Sequence, residues 1–483
     1  MNYRMIFRSL GTVMCIEAAC MVPSLLVSVI YRQGDAMSFL LSIMILAVLG
    51  LGLRRIKAIT SDIYARDGFA IVALAWLLVS AFGALPFLLS GAIPSVTDAI
   101  FESASAFSTT GASILREVEV LPRGIIFWRS FAHWMGGMGV LILMIAILPS
   151  VKANTLHIMK AESPGPAPEK FVPKIGQTAK ILYTIYIALT AVEVIFLLAG
   201  GMPLYDSLIH AFGTASTGGF SSKNASVGAY GSVYMETVIT IFMLIFGVNF
   251  SVYYTALKGN LKSIMRDEEL LFYLGTVITA IILIVLNTYG KVYQSIGEAV
   301  RYASFQVGSV ITTTGYATAD FTLWPVFSQC LLVLLMLMGA SAGSTAGGMK
   351  CLRIILLVKI IKREIVKIIH PRSVQTVKIN GRAVDEEVLS GVMAFFFVYF
   401  AVFAASAIVL SLDNKDMVST TTAVIACLSN IGPGLGTVGP AGNFADFSNL
   451  GKAVLSLCMI VGRLEIYPIL LLFAPAFWKR VNI

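Results

Sequence analysis

Short polar strings that end in glycine interrupt this otherwise apolar chain about every hundred residues, and a repeat at a nearly fixed spacing indicates a repeated structural unit. Three end in a Thr-Gly pair and a fourth is fainter: Thr109-Thr110-Gly111, Ser216-Thr217-Gly218, Thr313-Thr314-Gly315 and Asn430-Ile431-Gly432. Each polar string lies between hydrophobic segments. Polar backbone at membrane depth is tolerated only where it is buried in protein or lines a watery cavity. Four polar strings therefore predict one shared pore.

The composition is that of an integral membrane protein. Of the 483 residues, 57% are hydrophobic and 13% are charged, whereas about a quarter of the residues of a soluble domain are charged. The six cysteines lie in or beside apolar segments without Cys-x-x-Cys or Cys/His ligand spacing, which argues against a disulfide framework or a zinc site. The apolar segments extend from end to end, so we expect no sizeable soluble domain.

Ten segments have the length that a membrane-spanning helix needs, about 20 mostly apolar residues. These predicted spans are 10–31, 37–53, 69–91, 125–148, 181–200, 233–257, 271–289, 324–357, 389–412 and 450–476. Four shorter apolar runs are too brief to cross, and each leads directly into a polar string. They are 97–107, 204–214, 295–311 and 417–428.

Lysine and arginine in the short loops predict the orientation of the chain. Most of them fall on one side of the predicted spans, in the segments 4–8, 54–66, 152–180, 258–266, 359–382 and 479–480. Both termini are therefore predicted to be cytoplasmic, and the polar strings to open to the outside. This bias accounts for the net charge of +9, so no nucleic-acid partner is expected.

After the first two spans, the chain divides into four units, each made of a span, a short helix, a polar string and a second span. The predicted boundaries are 1–68 for the two N-terminal transmembrane helices and then 69–175, 176–268, 269–385 and 386–483 for the units. Units with the same number of crossings run parallel and can surround one axis. The predicted fold class is an all-α integral membrane protein with four pseudo-symmetric membrane-pore-membrane repeats around one pore.

The polar strings carry the oxygen atoms that a dehydrated monovalent cation needs, because backbone carbonyls and Thr or Ser hydroxyls can replace its water shell. The predicted ligands are Thr109, Thr110, Gly111, Ser216, Thr217, Gly218, Thr313, Thr314, Gly315, Asn430, Ile431 and Gly432. The short helix before each string ends there, and its C-terminus carries roughly half a negative charge. A single Thr-Gly pair can also merely end a helix or allow close packing, but four in matching context favour a pore.

These strings and their context resemble the Trk/Ktr/HKT superfamily of potassium transporters over essentially the whole chain. The extra helix pair before the first unit is similar to the TrkH and TrkG type. The resemblance implies one filter glycine per unit, here Gly111, Gly218, Gly315 and Gly432. It also implies potassium as the transported ion, with rubidium and sodium as further candidates, a TrkA-type nucleotide-binding ring as cytoplasmic regulator, a homodimer, and a bacterial inner-membrane location. The basic segment 359–382 could dock such a regulator.

A second motif interrupts the eighth predicted span. The segment 339–350 contains Gly339, Gly343, Gly347 and Gly348, and each glycine in a helix interior costs about 1 kcal/mol relative to alanine. The alternative is that these small residues only permit close helix packing. The resemblance implies an intramembrane loop, residues 339–350, that obstructs the pore below the polar strings and moves to open it.

Two basic residues belong to the same prediction. Lys350 ends the intramembrane loop and would lie near the pore mouth, although a lysine whose amine reaches the membrane interface is an equal alternative. Arg463 lies inside the last span, where an arginine is expensive and usually faces a cavity or a partner. The resemblance implies that Arg463 projects into the pore as an electrostatic barrier or gate element, with an interhelical salt bridge as the alternative.

Two other classes of function compete with a pore. A sodium-coupled cation symporter usually has two inverted halves, whereas this chain shows four parallel units. A membrane enzyme would need convergent nucleophiles and bases, but the four histidines belong to different segments. The segment 434–439 matches G-x-G-x-x-G but lacks the strand and helix that a dinucleotide site requires, so neither enzyme activity nor a cofactor besides the transported ion is expected.

Overall fold

The computed structural model describes residues 1–56, 65–139, 175–373 and 375–478. Several features of the sequence analysis lie outside the described residues. These are Lys57, the end of the predicted span 125–148, the basic residues of 152–174, and Lys479 with Arg480.

The described residues form mainly α-helices, with one small β-hairpin. The helices are α1 (Tyr3–Cys20), α2 (Val22–Tyr31), α3 (Ala36–Arg54), α4 (Ala65–Phe82), α5 (Leu85–Leu89), α6 (Val96–Phe107), α7 (Arg123–Gly137), α8 (Ile175–Ala199), α9 (Leu204–Ser216), α10 (Val233–Phe246), α11 (Phe250–Leu257), α12 (Leu261–Ile264), α13 (Glu268–Thr288), α14 (Ile296–Ile311), α15 (Val326–Met338), α16 (Cys351–Ile369), α17 (Glu386–Leu410), α18 (Met417–Leu428), α19 (Asn449–Arg463), α20 (Tyr467–Phe473) and α21 (Pro475–Trp478). Short 3₁₀ turns occupy Ser226–Tyr230, Phe321–Leu323, Ser411–Asp413 and Gly436–Val438. Strands β1 (Lys378–Ile379) and β2 (Arg382–Ala383) pair antiparallel, with Lys378 opposite Ala383.

Helices α1 and α3 pack closely because each contributes a glycine at their contact. A Cβ atom on Gly11 would lie 2.7 Å from the carbonyl oxygen of Gly50, and one on Gly50 would lie 2.8 Å from that of Gly11. Small residues at such contacts let helix backbones approach in a membrane. The N-terminal helices therefore form a tight pair, and α1 also packs against α4.

Six helical segments of the described residues are long and apolar enough to cross a membrane. They are Tyr3–Tyr31, Ala36–Arg54, Arg66–Leu89, Lys180–Ala199, Glu268–Thr288 and Glu386–Asp413. These segments coincide with the first, second, third, fifth, seventh and ninth predicted spans. Helices α10 and α11, which are bent by 89° at their junction, add a seventh if they count as one span.

The sixth and tenth predicted spans are broken as well as the eighth, which is the one span where the sequence prediction expected a break. Helix α10 turns sharply into α11, α15 ends where the intramembrane loop begins, and α19 ends before α20. Helix α7 ends at Gly137, two residues before the described part of its span ends. Each of these breaks falls at or near a glycine.

These break glycines touch the ends of the short helices that carry the polar strings. A Cβ on Gly137 would lie 2.7 Å from Ser216 Cα, one on Gly247 would lie 2.8 Å from Thr312 Cγ2, and one on Gly347 would lie 2.2 Å from the oxygen of Ser429. Gly462 is equally confined, because its Cβ would lie 2.0 Å from the oxygen of Leu428. The spans break where a continuous helix with side chains would collide with the polar strings.

The four short helices themselves form where the apolar runs predicted them, as α6, α9, α14 and α18. Side-chain caps begin two of them, since Ser95 Oγ accepts from the Asp98 N–H and Asp416 Oδ2 accepts from the Ser419 N–H. Their C-terminal halves are buried, so the polar strings that follow lie in the interior of the protein.

We expect Gly462→Ala to destabilise the protein by about 1–3 kcal/mol, because an overpacked core has to shift around the added methyl group. Gly391→Ala in α17 is the matched control, since a Cβ there has no heavy atom within 4 Å. Thermal unfolding in detergent, followed by a dye that reacts with the buried thiols of Cys427 and Cys458, measures both variants. Equal unfolding temperatures for the two variants would contradict this explanation of the break.

Candidate ion site

The helices α6, α9, α14 and α18 all end in the same backbone motif. One residue at the end of each helix has a left-handed conformation, with φ of 56° at Thr109, 55° at Thr217, 58° at Thr313 and 56° at Asn430. Its N–H bonds to the carbonyl three residues back, and the next N–H bonds to the carbonyl five residues back. This pattern is the Schellman motif, which usually has glycine at the left-handed position.

The shared motif fixes which residues of the four polar strings are equivalent. The residue two positions after the left-handed one has positive φ in every string: 81° at Gly111, 76° at Gly219, 80° at Gly315 and 99° at Gly432. Gly218 is absent from the positive-φ residues of the described chain. The sequence prediction that aligned Gly218 with the other three glycines is therefore off by one residue, and Gly219 is the equivalent position.

These four glycines contact one another's strings in a closed cycle. A Cβ on Gly111 would lie 2.1 Å from the carbonyl oxygen of Gly218, and one on Gly219 would lie 1.8 Å from that of Thr314. A Cβ on Gly315 would lie 2.0 Å from the oxygen of Ile431, and one on Gly432 would lie 2.8 Å from that of Thr110. Each string thus touches the next, and the fourth returns to the first.

We call Gly111, Gly219, Gly315 and Gly432 the glycine ring, and the oxygens of Thr110, Gly218, Thr314 and Ile431 the carbonyl ring. All four members of the glycine ring line a single cavity of about 200 Å³. Loop residues that follow each string form the rest of its wall, among them Ser113, Ser221, Ala317 and Pro433. The geometry brings the four predicted strings together at one place.

Three basic side chains line this cavity, and each is paired with a carboxylate. Arg116 Nη2 lies 2.6 Å from Asp446 Oδ1, and Lys223 Nζ lies 3.4 Å from Glu119 Oε2. The pKa of Glu119 is held below its ordinary value because its carboxylate accepts a hydrogen bond from the Asn224 N–H and pairs with Lys223. The positive charges of Arg116 and Lys223 in the cavity wall are therefore balanced by neighbouring carboxylates.

The third basic residue belongs to a buried ion pair that the sequence analysis missed. Arg129 Nε lies 2.5 Å from Glu102 Oε1, and both side chains are almost fully buried. Glu102 also accepts from Ser113 Oγ and from the Ile114 N–H, just after the first string. Arg129 donates to the Ser221 oxygen and lies 3.4 Å over the Phe220 ring, just after the second string. Glu102 and Arg129 each lie inside an apolar segment of the sequence. Charged residues in such segments usually have a partner, so they could have indicated this pair.

His133 explains why the second string has glycine at two adjacent positions. Its Nδ1 lies 2.6 Å from the Ala106 oxygen, and its ring lies 4.0 Å from that of Phe220. A Cβ on Gly218 would lie 2.7 Å from His133 Cγ. Gly218 therefore makes room for the histidine ring, whereas Gly219 supplies the positive φ.

The intramembrane loop contacts two of the strings. The Gly347 N–H donates to Thr313 Oγ1 over 2.7 Å, and Gly347 has no room for a side chain beside Ser429. Gly339, Gly343 and Gly348 have φ of 69°, 70° and 73°, which glycine adopts at little cost. The loop is held on its other side by α11, because the Phe250 N–H donates to the Gly343 oxygen.

Arg463 and Lys350 both bond to this loop. Arg463 donates to the Thr345 oxygen over 2.7 Å and to the Gly136 oxygen over 2.8 Å, so it joins the loop to the end of α7. Lys350 is buried and its amine donates to the Ala346 oxygen, which does not fit the alternative of an amine that reaches the interface. Glu465, two residues beyond Arg463, pairs with Arg353 of α16.

Comparison with known proteins places this architecture in a family. The family model TrkH, described as a cation transport protein, matches residues 36–480. The chain belongs to the TrkH family. It is 38% identical to the Trk system potassium uptake protein TrkH of Salmonella typhimurium, over 99% of this chain and 100% of that one. It is 31% identical to the TrkG protein of the Escherichia coli Trk potassium uptake system, over 99% of both chains.

A solved structure agrees with this TrkH-family assignment. The crystal structure of the potassium transporter TrkH from Vibrio parahaemolyticus matches with a TM-score of 0.90 and 35% identity, over 99% of this chain and 100% of that one. The resemblance inferred from the polar strings is therefore confirmed, as is the predicted class, an all-α membrane protein. A TrkH-family chain is a membrane transport protein and not an enzyme.

The register of the second string can be tested with a double-mutant cycle. Gly218→Ala should destabilise the protein by about 1–3 kcal/mol through its clash with the histidine ring. His133→Ala in the same chain should relieve most of that cost, because the two residues are in contact. Gly219→Ala should stay costly with or without His133, since its Cβ would meet the Thr314 oxygen. Thermal unfolding measures these four variants and His133→Ala alone, and rescue of Gly219→Ala by His133→Ala would contradict the assigned register.

Proposed function

We propose that this chain takes up potassium across the bacterial inner membrane through a single pore whose selectivity filter is made of the four polar strings. The observation that carries the proposal is the closed glycine ring, which lines one cavity and lies against a ring of four carbonyl oxygens. Relatives that are named as potassium uptake proteins support potassium as the transported ion.

The chemistry of the ring suits a dehydrated monovalent cation. Carbonyl oxygens can replace the hydration shell of such an ion, and the carbonyl ring offers one from each string. Among the described residues, the buried Thr109 Oγ1 and Asn430 Oδ1 have no hydrogen-bond partner, although most buried polar atoms have one. The C-termini of α6, α9, α14 and α18 converge here, and their dipoles favour a cation over an anion.

The intramembrane loop and Arg463 form the proposed gate. The loop lies directly against Thr313 and Ser429 at one end of the filter. Arg463 adds a positive charge that repels a cation leaving the filter, and its bonds to Thr345 and Gly136 hold the loop in this position. Gly339, Gly343, Gly347 and Gly348 allow the loop to change conformation with little side-chain rearrangement.

The regulator, the dimer and the topology belong to the same proposal. The segment 359–382 presents basic side chains that are exposed, namely Lys362, Lys367, Arg372, Lys378 and Arg382. Such a surface suits a TrkA-type cytoplasmic nucleotide-binding ring, with two copies of this chain forming a homodimer and both termini in the cytoplasm. A sodium-coupled symporter is the competing function, and its uptake would require sodium.

Rubidium uptake into liposomes that contain the purified chain tests the proposal directly. External potassium should inhibit uptake, whereas sodium or an impermeant cation at the same concentration should not. Uptake that requires sodium would establish the symporter instead, and uptake that sodium and potassium inhibit equally would refute a potassium filter.

Gly315→Ser should weaken the preference for potassium over sodium. The serine Cβ would lie 2.0 Å from the Ile431 oxygen at a φ of 80°, so the carbonyl ring has to shift, and ion selectivity depends on its geometry. Gly275→Ser is the matched control, because a Cβ at Gly275 has no heavy atom within 4 Å. Competition by sodium in the rubidium assay measures the effect. If Gly315→Ser keeps the wild-type preference for potassium over sodium, Gly315 is not part of the filter.

Arg463→Ala should raise the initial rate of rubidium uptake at least about tenfold, because a positive charge beside the proposed ion path repels the cation in a protein interior of low effective dielectric constant. Arg463→Lys keeps the charge but not the planar fork of donors. A rate for the lysine variant between those of wild type and alanine would assign both charge repulsion and loop anchoring to Arg463. An unchanged rate in Arg463→Ala would exclude it from the gate.

A further inference from the structure

The start of α13 carries three consecutive acidic residues, Asp267, Glu268 and Glu269, which the proposed function does not use. Asp267 caps its own helix, since its Oδ1 accepts from the Leu270 N–H over 2.8 Å. The other two side chains bond to different parts of the chain. Glu269 is buried and reaches the intramembrane loop, whereas Glu268 reaches the β-hairpin.

Glu269 joins the two ends of the intramembrane loop. Its Oε1 accepts from the Ala342 N–H over 2.6 Å and from the Leu352 N–H over 3.2 Å. Ala342 lies near the beginning of the loop, and Leu352 is the second residue of α16, just beyond its end. One carboxylate oxygen on a neighbouring helix therefore fixes the distance between the points where the loop leaves the span and rejoins it.

Glu268 and Asp267 hold the hairpin by reciprocal bonds to its turn. The Asn380 N–H donates to Glu268 Oε1, the Glu268 N–H donates to Asn380 Oδ1, and Asn380 Nδ2 donates to Asp267 Oδ2, each over 2.8 Å. Asn380 and Gly381 have φ of 49° and 78°, the left-handed pair that a two-residue type I′ hairpin turn requires.

Lys359 completes the connection between the hairpin and α16. Its amine donates to Glu268 Oε2 and, over 2.7 Å, to the Lys378 oxygen of β1. Helix α16 begins where the intramembrane loop ends. The hairpin, α16 and the loop therefore all attach to the same three residues, 267–269, at the start of α13.

We propose that Glu269 is a positioning residue that latches the intramembrane loop in its closed conformation, and that Glu268 ties this latch to the hairpin 378–383. The inference rests on the proposed function of the loop as the gate. A displacement of the exposed hairpin would then pull on the start of α13 and loosen the loop. Movement of the hairpin on the cytoplasmic side is thus transmitted to the intramembrane loop.

The sequence supplies a control with the same local pattern. Residues 385–387 repeat Asp-Glu-Glu at the start of α17, and Glu387 is exposed there. Glu387→Ala removes an acidic side chain from the first turn of an equivalent helix without touching the loop. Any effect that comes only from helix capping or from net charge should appear in both Glu269→Ala and Glu387→Ala.

Cys351 is a native reporter of the loop that does not depend on transport. Its side chain is fully buried, and its N–H donates to the Ala340 oxygen across the base of the loop. In a chain whose other five cysteines are replaced by alanine, the rate of maleimide labelling at Cys351 measures how often the loop opens. Rubidium uptake by the same chain in liposomes measures the consequence for transport.

Glu269→Ala should raise the labelling rate and the rubidium uptake rate by about tenfold, since it leaves the buried Ala342 N–H and the partly buried Leu352 N–H without their acceptor. Glu269→Gln should behave like wild type, because the amide oxygen can still accept both bonds. Unchanged labelling in Glu269→Ala would overturn the latch, and so would equal increases in the alanine and glutamine variants. If the alanine variant does not fold, Glu269→Asp, which withdraws the carboxylate by one methylene, replaces it in the same comparison.

Asn380→Gly tests the tie to the hairpin. Glycine keeps the left-handed turn and removes both side-chain bonds to α13. Labelling of Cys351 should rise by about threefold, less than in Glu269→Ala. The two bonds lost are exposed, so together they contribute about as much free energy as one ordinary hydrogen bond. Labelling at the wild-type rate would overturn the tie between the hairpin and the latch.

The two readouts separate this inference from the proposed function. Faster labelling of Cys351 in Glu269→Ala without faster rubidium uptake would support the latch and refute the loop as the gate. Faster uptake with unchanged preference for potassium over sodium would support both, because the latch lies outside the filter.

Discussion

Four glycines that lie against four carbonyl oxygens set the geometry on which the rest of this structure depends. The glycine ring brings the strings so close that no member has room for a Cβ atom. The short helices must therefore end abruptly, which the four Schellman motifs accomplish. The spans that pass beside the strings must break, and Gly137, Gly247, Gly347 and Gly462 sit at or near those breaks. The close contact between the glycine ring and the carbonyl ring thus determines where the surrounding helices end and where the spans break.

The sequence predicted those parts of the site that depend on local patterns. The polar strings, the short helices before them and the broken eighth span all follow from composition and spacing, and the structure has helices at the predicted places. The register of the second string could not be predicted, because Gly218 and Gly219 are indistinguishable until His133 is placed against one of them. The breaks in the sixth and tenth spans were missed for a similar reason, since a single glycine breaks a helix only when another segment fills the space.

The pairing of residues that lie far apart in the chain also could not be predicted from the sequence. Glu102 and Arg129 are 27 positions apart in different helices, and their pairing behind the first two strings becomes visible only when α6 and α7 are packed together. Breaking a buried ion pair by removing one partner costs about 3–5 kcal/mol. The pair is therefore a rigid support for the loops that follow two of the strings, placed where a shift would distort the ring.

The left-handed residues explain how the ring and the intramembrane loop are coupled. Threonine in a left-handed conformation costs on the order of 1–3 kcal/mol, and glycine at Thr109, Thr217 and Thr313 would avoid that cost. Glycine would also remove the side-chain oxygens. Thr313 Oγ1 accepts the Gly347 N–H of the loop, and Asn430 Nδ2 donates to Thr110 Oγ1 across two strings. Two of the strained positions, Thr313 and Asn430, thus connect string to loop and string to string, so the loop and the ring are joined through them.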